Sequence, residues 1–518
     1  MRSIRLRNVR SLADTGEIEI RPITLFLGMN SSGKSTLLRS FPLIMQSIRT
    51  RSNAPILWYG DYVDFGSVEE VKSSFASEEN VHIQVDLGRC SVPPSRTYYS
   101  SNLREVVVER LALDIELEDV DGKTRLKSFS LEIADDRVTV TIGRGNGIAS
   151  ILVNDVEYSS LFPSERFRIR TTEFVPQIVF TGAITGSRNI YRRRSLDAVD
   201  QQIVQFFKAR VHGRVLDETL ATIAMKLHYE PRSSFGKQLG RSVSDAKSWR
   251  KFVEDITSAS HSTELDQLHR LYLLSSLGDI LQQVERIVSS RFLSLSYVGP
   301  SRATGERYYR MQELAVDQID PQGKNLAMFL NSLSASQQSG FSSWLMESIG
   351  YGINIERQTG HIQLQLREEH SDKSHNLADM GYGFSQVLPI MAQIWSRQFR
   401  RTPMGVSPLV VMEQPELHLH PAYQAKLADV FVKAISGDAK SDRELSGLKF
   451  IIETHSEAII NRLGDLIYEG TVRAEDVAVY LFDKDVEDDR KTVISSANFR
   501  DDGSLDNWPV GFFSPRAA

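Results

Sequence analysis

Residues 23–35 read ITLFLGMNSSGKS, an apolar run that leads directly into a glycine-containing loop. The apolar part, ITLFL, has the length and composition of a buried β-strand. The segment from Gly28 to Ser35 fits the pattern G-x-x-x-x-G-K-[ST], in which a loop between a strand and a helix wraps its backbone N–H groups around phosphate. From Leu37 to Ile48 apolar residues recur at helical spacing. The sequence therefore predicts a phosphate-binding loop that opens a helix.

Each part of this phosphate loop (residues 28–35) has an expected task. Lys34 is expected to reach the β- and γ-phosphates of a nucleoside triphosphate, and the Ser35 hydroxyl to bind Mg²⁺. The N-terminus of the helix adds partial positive charge that faces the phosphates. The residues predicted to bind nucleotide here are Gly28, Asn30, Ser31, Ser32, Gly33, Lys34, Ser35 and Thr36.

Other apolar runs extend an α/β pattern. PLVVME (408–413), LKFIIETHS (448–456) and VAVYLFD (477–483) are flanked by helical segments, which is typical of buried parallel strands. Between residues 80 and 182, strand-length pieces separated by polar turns predict an antiparallel β lobe. From 197 to 291 the period becomes helical, and it ends in a long stretch that is either a packed helix or a lever arm.

Composition restricts the class of protein. The chain has 518 residues, of which 61 are basic and 66 acidic, so its net charge is −5. This charge gives no overall attraction to nucleic acid, and any such contact must be local. No stretch reaches the roughly 18 uncharged apolar residues that a membrane helix needs. Because an apolar signal segment is absent and Cys90 is the only cysteine, the sequence predicts a cytoplasmic protein without an internal disulfide.

Further segments indicate which nucleotide-binding proteins this sequence is similar to. They are NVRSL (8–12), DMGYGFSQ (379–386), LVVMEQPELHLHP (409–421), ETHS (453–456) and NWPVGFF (507–513). With them the chain resembles ATPases of the RecF, SMC and OLD families, and among these the ATPase subunits of anti-phage systems such as Septu and retrons. The resemblance covers roughly residues 1–70 and 295–515. It implies an α/β fold with an ABC-type P-loop core that binds ATP and Mg²⁺, to which the residue patterns between 80 and 291 add an antiparallel β lobe and a helical insertion.

The resemblance also assigns roles to single residues. Glu413 takes the Walker B position, which holds the hydration shell of Mg²⁺. Gly383, Ser385 and Gln386 belong to the signature loop (residues 379–386), which in these families contacts the γ-phosphate of a nucleotide held by the opposite subunit. His455 resembles the switch histidine that senses the γ-phosphate. These roles imply a homodimer, or a higher oligomer, that assembles through its ATP sites.

Gln414 departs from the family pattern. The residue after the Walker B carboxylate is normally the glutamate that polarises the attacking water, and an amide cannot accept that proton. Three explanations stay open: hydrolysis is slow, Glu416 or His455 assists, or the glutamine is an introduced substitution. We predict an ATPase in which Glu413, Gln414 and His455 are catalytic. The alternative is a nucleotide-binding scaffold with little or no turnover.

Two patterns suggest other chemistry. The spacing of His418 and His420 suits a metal pair, but the resemblance places the sequence LHP (419–421) in the D-loop, which lies across the dimer interface. The D-x-D spacing of Asp483 and Asp485 suits an appended nuclease, yet few residues follow, and a solvated turn between strands explains it better. The sequence thus predicts no intrinsic nuclease. A transporter ATPase is disfavoured, because the signature loop is far from the phosphate loop and LSGGQ is absent.

The pattern divides the chain into predicted domains at 1–75 and 294–518 for the two parts of the ATPase core, 76–195 for the β-rich lobe and 196–293 for the helical insertion. Predicted partners are a second copy, a separate effector such as an HNH nuclease, and DNA or RNA at basic clusters. Solvated loops are the alternative explanation of those clusters. The clusters are Arg166, Arg168 and Arg170, which alternate along one predicted strand, and Arg188, Arg192, Arg193 and Arg194 around Tyr191.

Overall fold

A computed structural model of the chain describes residues 1–92, 106–181, 197–211, 215–241, 247–258, 261–312, 316–371, 373–399, 407–436 and 447–508. Within these ranges the protein is a mixed α/β structure with a parallel central sheet, a large antiparallel sheet and a group of inserted helices. Among the helices described, none is long and apolar enough to cross a bilayer.

The central sheet contains the strand that leads into the phosphate loop. Its six strands are β4 Ile23–Gly28, β15 Ser296–Val298, β20 Leu409–Glu413, β21 Lys449–Glu453, β22 Val477–Lys484 and β23 Thr492–Ala497. They lie in the order β15-β20-β21-β4-β22-β23, and only the β22–β23 pair is antiparallel. Strands β4 and β20 are buried along their whole length. The parallel strands predicted from continuous apolar runs are therefore confirmed.

The antiparallel sheet forms the predicted β lobe and also includes strands from the N-terminus. Its strands are β1 Ser3–Val9, β2 Leu12–Asp14, β3 Ile18–Glu19, β5 Val81–Asp86, β8 Leu111–Val120, β9 Lys123–Ile133, β10 Asp136–Ile142, β11 Ile148–Val153 and β12 Val156–Glu157. Strand β1 pairs with β5, with Leu6 opposite Ile83. Because both strands bury alternate residues on the same face, the sheet continues across the predicted boundary between 75 and 76.

The remaining strands of the described residues form three smaller sheets. Two hairpins are formed by β6 Cys90–Val92 with β7 Val106–Val108, and by β13 Phe167–Arg170 with β14 Gln177–Phe180. A four-stranded antiparallel sheet contains β16 Tyr309–Arg310, β17 Tyr351–Gln358, β18 His361–Glu368 and β19 Ser374–Asn376. The alternating run HIQLQL at 361–366 lies within β18.

The described helices pack on the central sheet, on the antiparallel sheet and on one another. They are α1 Lys34–Arg49, α2 Val68–Val71, α3 Asp197–Lys208, α4 Asp217–Lys226, α5 Arg232–Arg241, α6 Lys247–Ile256, α7 Ser262–Leu293, α8 Leu326–Ser332, α9 Ala335–Ile349, α10 Tyr382–Phe399, α11 Pro421–Ser436 and α12 Glu457–Tyr468. Helix α1 continues through Pro42, as the apolar pattern predicts.

The long helix α7 is a packed helix and not a free lever arm. It has 32 residues, and it contacts both α1 and α3. Leu268, Leu277 and Leu281 on this helix are completely buried. One hydrophobic core therefore joins α1, α7 and the antiparallel sheet, while α8 to α12 pack on the other face of the central sheet. Neighbouring residues of β4 divide between these cores: Phe26 belongs to the first, Leu25 and Leu27 to the second.

Candidate nucleotide-binding site

The phosphate loop connects β4 to α1 through backbone conformations that favour glycine. Gly28 has φ +149° and Gly33 has φ +90°. A Cβ atom at Gly28 would lie 2.1 Å from the carbonyl oxygen of Phe482 on β22. A Cβ at Gly33 would lie within 2.8 Å of the hydroxyl oxygens of Thr492 and Ser11. The chain therefore needs glycine at both positions to bring the loop this close to its neighbours.

Lys34 lies inside the curve of this loop. Its ammonium donates to the carbonyl oxygens of Gly28 at 3.0 Å and Met29 at 2.6 Å, and the residue is only 3% exposed. Burial lowers the pKa of Lys34, because the charged form loses hydration. The Ser32 hydroxyl donates to the same Met29 carbonyl at 2.8 Å. The lysine is thus held at the start of the helix, where phosphates are expected.

The N-terminus of α1 fits a phosphate group. Gly33 is the residue that caps this 16-residue helix, and it provides no side-chain hydrogen bond to the first-turn N–H groups. The first turn also contains no acidic residue. The helix therefore presents free N–H donors and its partial positive charge without competition from a capping side chain. Asn30 and Ser31 are exposed at the loop tip, and Thr36 is half-buried in the first turn.

Two glutamates end neighbouring strands beside the loop. The Ser35 hydroxyl contacts both carboxylate oxygens of Glu453, at 2.9 and 2.8 Å. Glu413 instead accepts two hydrogen bonds from the Arg39 guanidinium, both at 2.8 Å, and one from the Tyr297 hydroxyl at 2.5 Å. Sequence reasoning assigned Glu413 to the metal and missed Glu453. The missed signal is that Glu453, like Glu413, ends a continuous apolar strand.

Burial and neighbouring groups shift the pKa of Glu453 and the pKa of Arg39, the residue that pairs with Glu413. Burial raises the pKa of Glu453, and the nearby carboxylate of Glu413 raises it further, whereas the Ser35 hydrogen bond lowers it. The hydrogen bonds to Glu413 raise the pKa of Arg39, so this guanidinium stays charged. The edge of the sheet thus holds two carboxylates, of which Glu413 is paired with a cation.

Gln414 is fixed by its backbone. It has φ +43°, and its N–H donates to the carbonyl of Glu453 at 2.8 Å. The guanidinium of Arg302 donates to the carbonyls of Gln414 at 3.1 Å and Glu413 at 3.4 Å. Arg302 is 2% exposed, and burial lowers its pKa to about 10. Sequence reasoning did not single out Arg302, which positions the turn after β20.

His455, the predicted switch histidine, lies next to this turn. The backbone N–H of His455 donates to Glu416 Oε1 at 2.7 Å. Burial lowers the pKa of His455, and the charge of Lys34 lowers it further, which favours the neutral ring. Burial raises the pKa of Glu416. Among the described residues, Glu416 Oε2 and His455 Nε2 are buried without a hydrogen-bond partner. Glu416 and His455, the two residues that sequence analysis proposed to assist Gln414, therefore both lie at this edge of the central sheet.

The predicted signature loop packs within its own chain. The Ser385 hydroxyl donates to the Tyr382 carbonyl at 2.7 Å, and Gln386 Nε2 donates to the Arg302 carbonyl at 3.2 Å. Both side chains are buried, with Gln386 only 1% exposed, so a nucleotide contact by these side chains stays a prediction. A Cβ at Gly383 would lie 2.9 Å from the carbonyl oxygen of His418. Asp379, Gly381 and Tyr382 are exposed in this loop, and the Tyr382 ring, 44% exposed, meets the His418 ring at 4.7 Å.

Asp483 lies near the end of β22, where it pairs with Val493, and Asp485 begins the turn that sequence analysis preferred. This turn connects β22 and β23, which pair as an antiparallel hairpin. Asp485 donates its N–H to the Lys491 carbonyl at 3.0 Å, and its side chain accepts from Glu487 N–H at 2.9 Å and Asp488 N–H at 3.1 Å. The interpretation as a solvated turn is confirmed.

Arg168 and Arg170 of the first basic cluster lie on one face of β13, as their alternation predicts, and Arg166 directly precedes this strand. Arg166, Arg168 and Arg170 are exposed. Arg168 donates to the Gly145 carbonyl, and Arg170 pairs with Glu173 at 3.3 Å. Contact with nucleic acid stays a prediction. The second cluster, at Arg188, Arg192, Arg193 and Arg194 around Tyr191, lies outside the described residues.

Comparison with known protein families matches part of the chain to an ATPase domain. Residues 303–460, which contain the signature loop, β20 and β21, match the family model described as AAA ATPase domain. No curated protein matches the chain. Among solved structures, the SMC head domain from Thermotoga maritima matches with a TM-score of 0.35 and 10% identity, over 96% of this chain and 99% of that chain.

Proposed function

We propose that this chain is an ATP-driven switch that binds ATP with Mg²⁺ at the phosphate loop, dimerises around it and regulates a partner protein. The observation that carries the proposal is the N-terminus of α1. There an uncapped helix start, the buried ammonium of Lys34 and the hydroxyl of Ser35 meet in one loop. In this class of protein such a loop recognises the β- and γ-phosphates by charge and by backbone N–H groups.

Hydrolysis needs charge neutralisation and an oriented water molecule. Mg²⁺ would be held at Ser35 and at a carboxylate of the adjacent strand ends, where it would neutralise charge on the phosphate oxygens. Gln414 has no carboxylate to accept a proton, but an amide can orient water. Because Glu416 and the neutral His455 lie beside it, slow hydrolysis assisted by these residues is the proposal.

Dimerisation would place the signature loop of one copy on the nucleotide of the other. The exposed Tyr382 and the neighbouring His418 form a surface that a second copy can contact. Behind this surface Gln386 bonds to Arg302, and Arg302 bonds to the carbonyl of Gln414. Contact at the signature loop can therefore shift the turn that bears Gln414, which would couple assembly to hydrolysis.

The client would be a separate effector in anti-phage defence or DNA maintenance, for example an HNH nuclease. Helix α7 packs directly on α1, so a movement of the nucleotide-binding helix reaches the helical insertion through shared hydrophobic contacts. The exposed arginines on β13 offer a surface for DNA or RNA.

A nucleotide-binding scaffold with little turnover is the second candidate, and Gln414 is the observation that favours it. Phosphate release by the purified chain, with and without DNA, separates the two functions, with Lys34→Ala as the background. A switch is expected to release phosphate above this background. Release equal to the background together with intact ATP binding would support the scaffold.

Tyr382→Asp is expected to weaken ATP-driven dimerisation by at least about tenfold, because it adds a charge to the proposed interface. Sedimentation with Mg²⁺ and a non-hydrolysable ATP analogue measures the effect. Tyr468→Asp is the matched control: Tyr468 is also exposed, but it lies at the far end of α12, away from the carboxyl ends of the parallel strands. Equal effects of both variants would contradict a dimer interface at Tyr382.

A further inference from the structure

The strand order places the two glutamates on different strands, one next to β4 and the other one strand further along the sheet. Strand β21 lies between β20 and β4, with Glu453 opposite Glu413 on one side and Phe26 on the other. Neighbouring strands are about 4.8 Å apart. Glu453 is therefore one strand away from the strand that enters the loop, and Glu413 is two strands away.

Their hydrogen bonds separate them further. Glu453 contacts the hydroxyl of Ser35, the loop residue expected to bind Mg²⁺, through both carboxylate oxygens. Glu413 is held by Arg39 and Tyr297. A cation would have to displace the charged Arg39 guanidinium before Glu413 could bind it. Glu453, in contrast, is hydrogen-bonded to the neutral hydroxyl of Ser35, the residue expected to bind Mg²⁺.

We infer, building on the proposed function, that Glu453 and not Glu413 supplies the carboxylate of the Mg²⁺ site together with Ser35. Glu413 is then a positioning residue. Its bidentate ion pair with Arg39 attaches α1 to the end of β20, and its bond with Tyr297 attaches the same strand end to β15. The metal thus binds between β4 and the strand next to it.

We expect substitution of Glu453 to weaken Mg²⁺ binding without weakening nucleotide binding in the absence of the metal. Binding of a fluorescent ATP analogue is titrated with Mg²⁺, starting from EDTA, for the wild type and for Glu453→Gln. We expect Glu453→Gln to raise the Mg²⁺ concentration for half-maximal binding by at least about tenfold, as expected when a metal site loses a supporting group. Nucleotide binding in EDTA should stay at the wild-type level, because the loop and Lys34 are intact. Mn²⁺ bound in the presence of nucleotide, measured by electron paramagnetic resonance, should fall in parallel.

Two matched variants define the comparison. Glu413→Gln should lower the melting temperature by breaking the Arg39 pair, while it leaves the Mg²⁺ midpoint within about threefold of wild type, below the tenfold expected of a metal-site group. Glu356→Gln, at an exposed glutamate of β17, should change neither quantity. If Glu453→Gln fails to fold, Glu453→Asp keeps the charge on a shorter side chain, and its Mg²⁺ midpoint should also rise.

The outcomes distinguish this inference from the proposed function. A wild-type Mg²⁺ midpoint in the Glu453 variants, with a raised midpoint in Glu413→Gln, would assign the metal to Glu413 and overturn the inference alone. Wild-type protein that binds no ATP analogue with or without Mg²⁺ would overturn the proposed function and this inference together.

Discussion

Lys34→Ala is expected to reduce ATP turnover by at least about 100-fold, since a preorganised charge that stabilises the transferring phosphoryl group contributes on this scale. The ammonium is already placed inside the loop by the carbonyls of Gly28 and Met29. The alanine variant lacks the only charged side chain of the phosphate loop but keeps the N–H groups at the start of α1. ATP affinity should therefore fall less than turnover. Phosphate release and equilibrium binding of an ATP analogue measure the two effects.

The fold of the variant should be unaffected. Burial lowers the pKa of Lys34, and a base whose pKa is lower in the folded chain opposes folding below its unfolded pKa. Removing the ammonium relieves this cost but also removes its hydrogen bonds to Gly28 and Met29, so the melting temperature should change little. Lys324→Ala, at an exposed lysine, is the control and should retain wild-type turnover. Wild-type turnover in Lys34→Ala would show that hydrolysis occurs at another site.

Gly28→Ala is expected to lower the free energy of unfolding by more than about 3 kcal/mol, because forced overpacking against backbone is costly. The added Cβ would lie 2.1 Å from the Phe482 carbonyl. Since β4 and β22 are paired along this stretch, neither strand can move without breaking ladder hydrogen bonds. Denaturant titration measures the loss.

Gly360→Ala separates backbone strain from the steric clash. Gly360 has φ +79°, and a Cβ there meets nothing within 4 Å. This variant should cost only about 1 kcal/mol, the usual penalty of a left-handed conformation. A loss in Gly28→Ala no larger than that of Gly360→Ala would mean that the contact with Phe482 does not constrain the loop.

Local patterns in the sequence were sufficient to predict the phosphate loop and the parallel strands. The loop motif stands between a strand and a helix whose apolar spacing is unambiguous, and β20, β21 and β22 are continuous apolar runs because both faces of the sheet are covered. The segment after Asp483 was correctly predicted as a turn, since polar residues separate two strand-length pieces.

Features that depend on pairing between distant segments were not predictable. The pairing of β1 with β5 extends the antiparallel sheet into the N-terminus, and single-strand alternation does not specify a partner. The contact of Glu453 with Ser35 depends on the order of three strands. The burial of Gln386 against Arg302 depends on how α10 packs, which the signature pattern alone does not describe.

The central claim is that a triphosphate is held between two copies of this chain. A crystal or cryo-electron microscopy structure of the chain with Mg²⁺ and a non-hydrolysable ATP analogue tests it most directly. The account predicts that Lys34 and Ser35 of one copy contact the β- and γ-phosphates, and that residues 379–386 of the second copy cover the γ-phosphate. A bound triphosphate in a dimer whose signature loops face away from both nucleotides would contradict it.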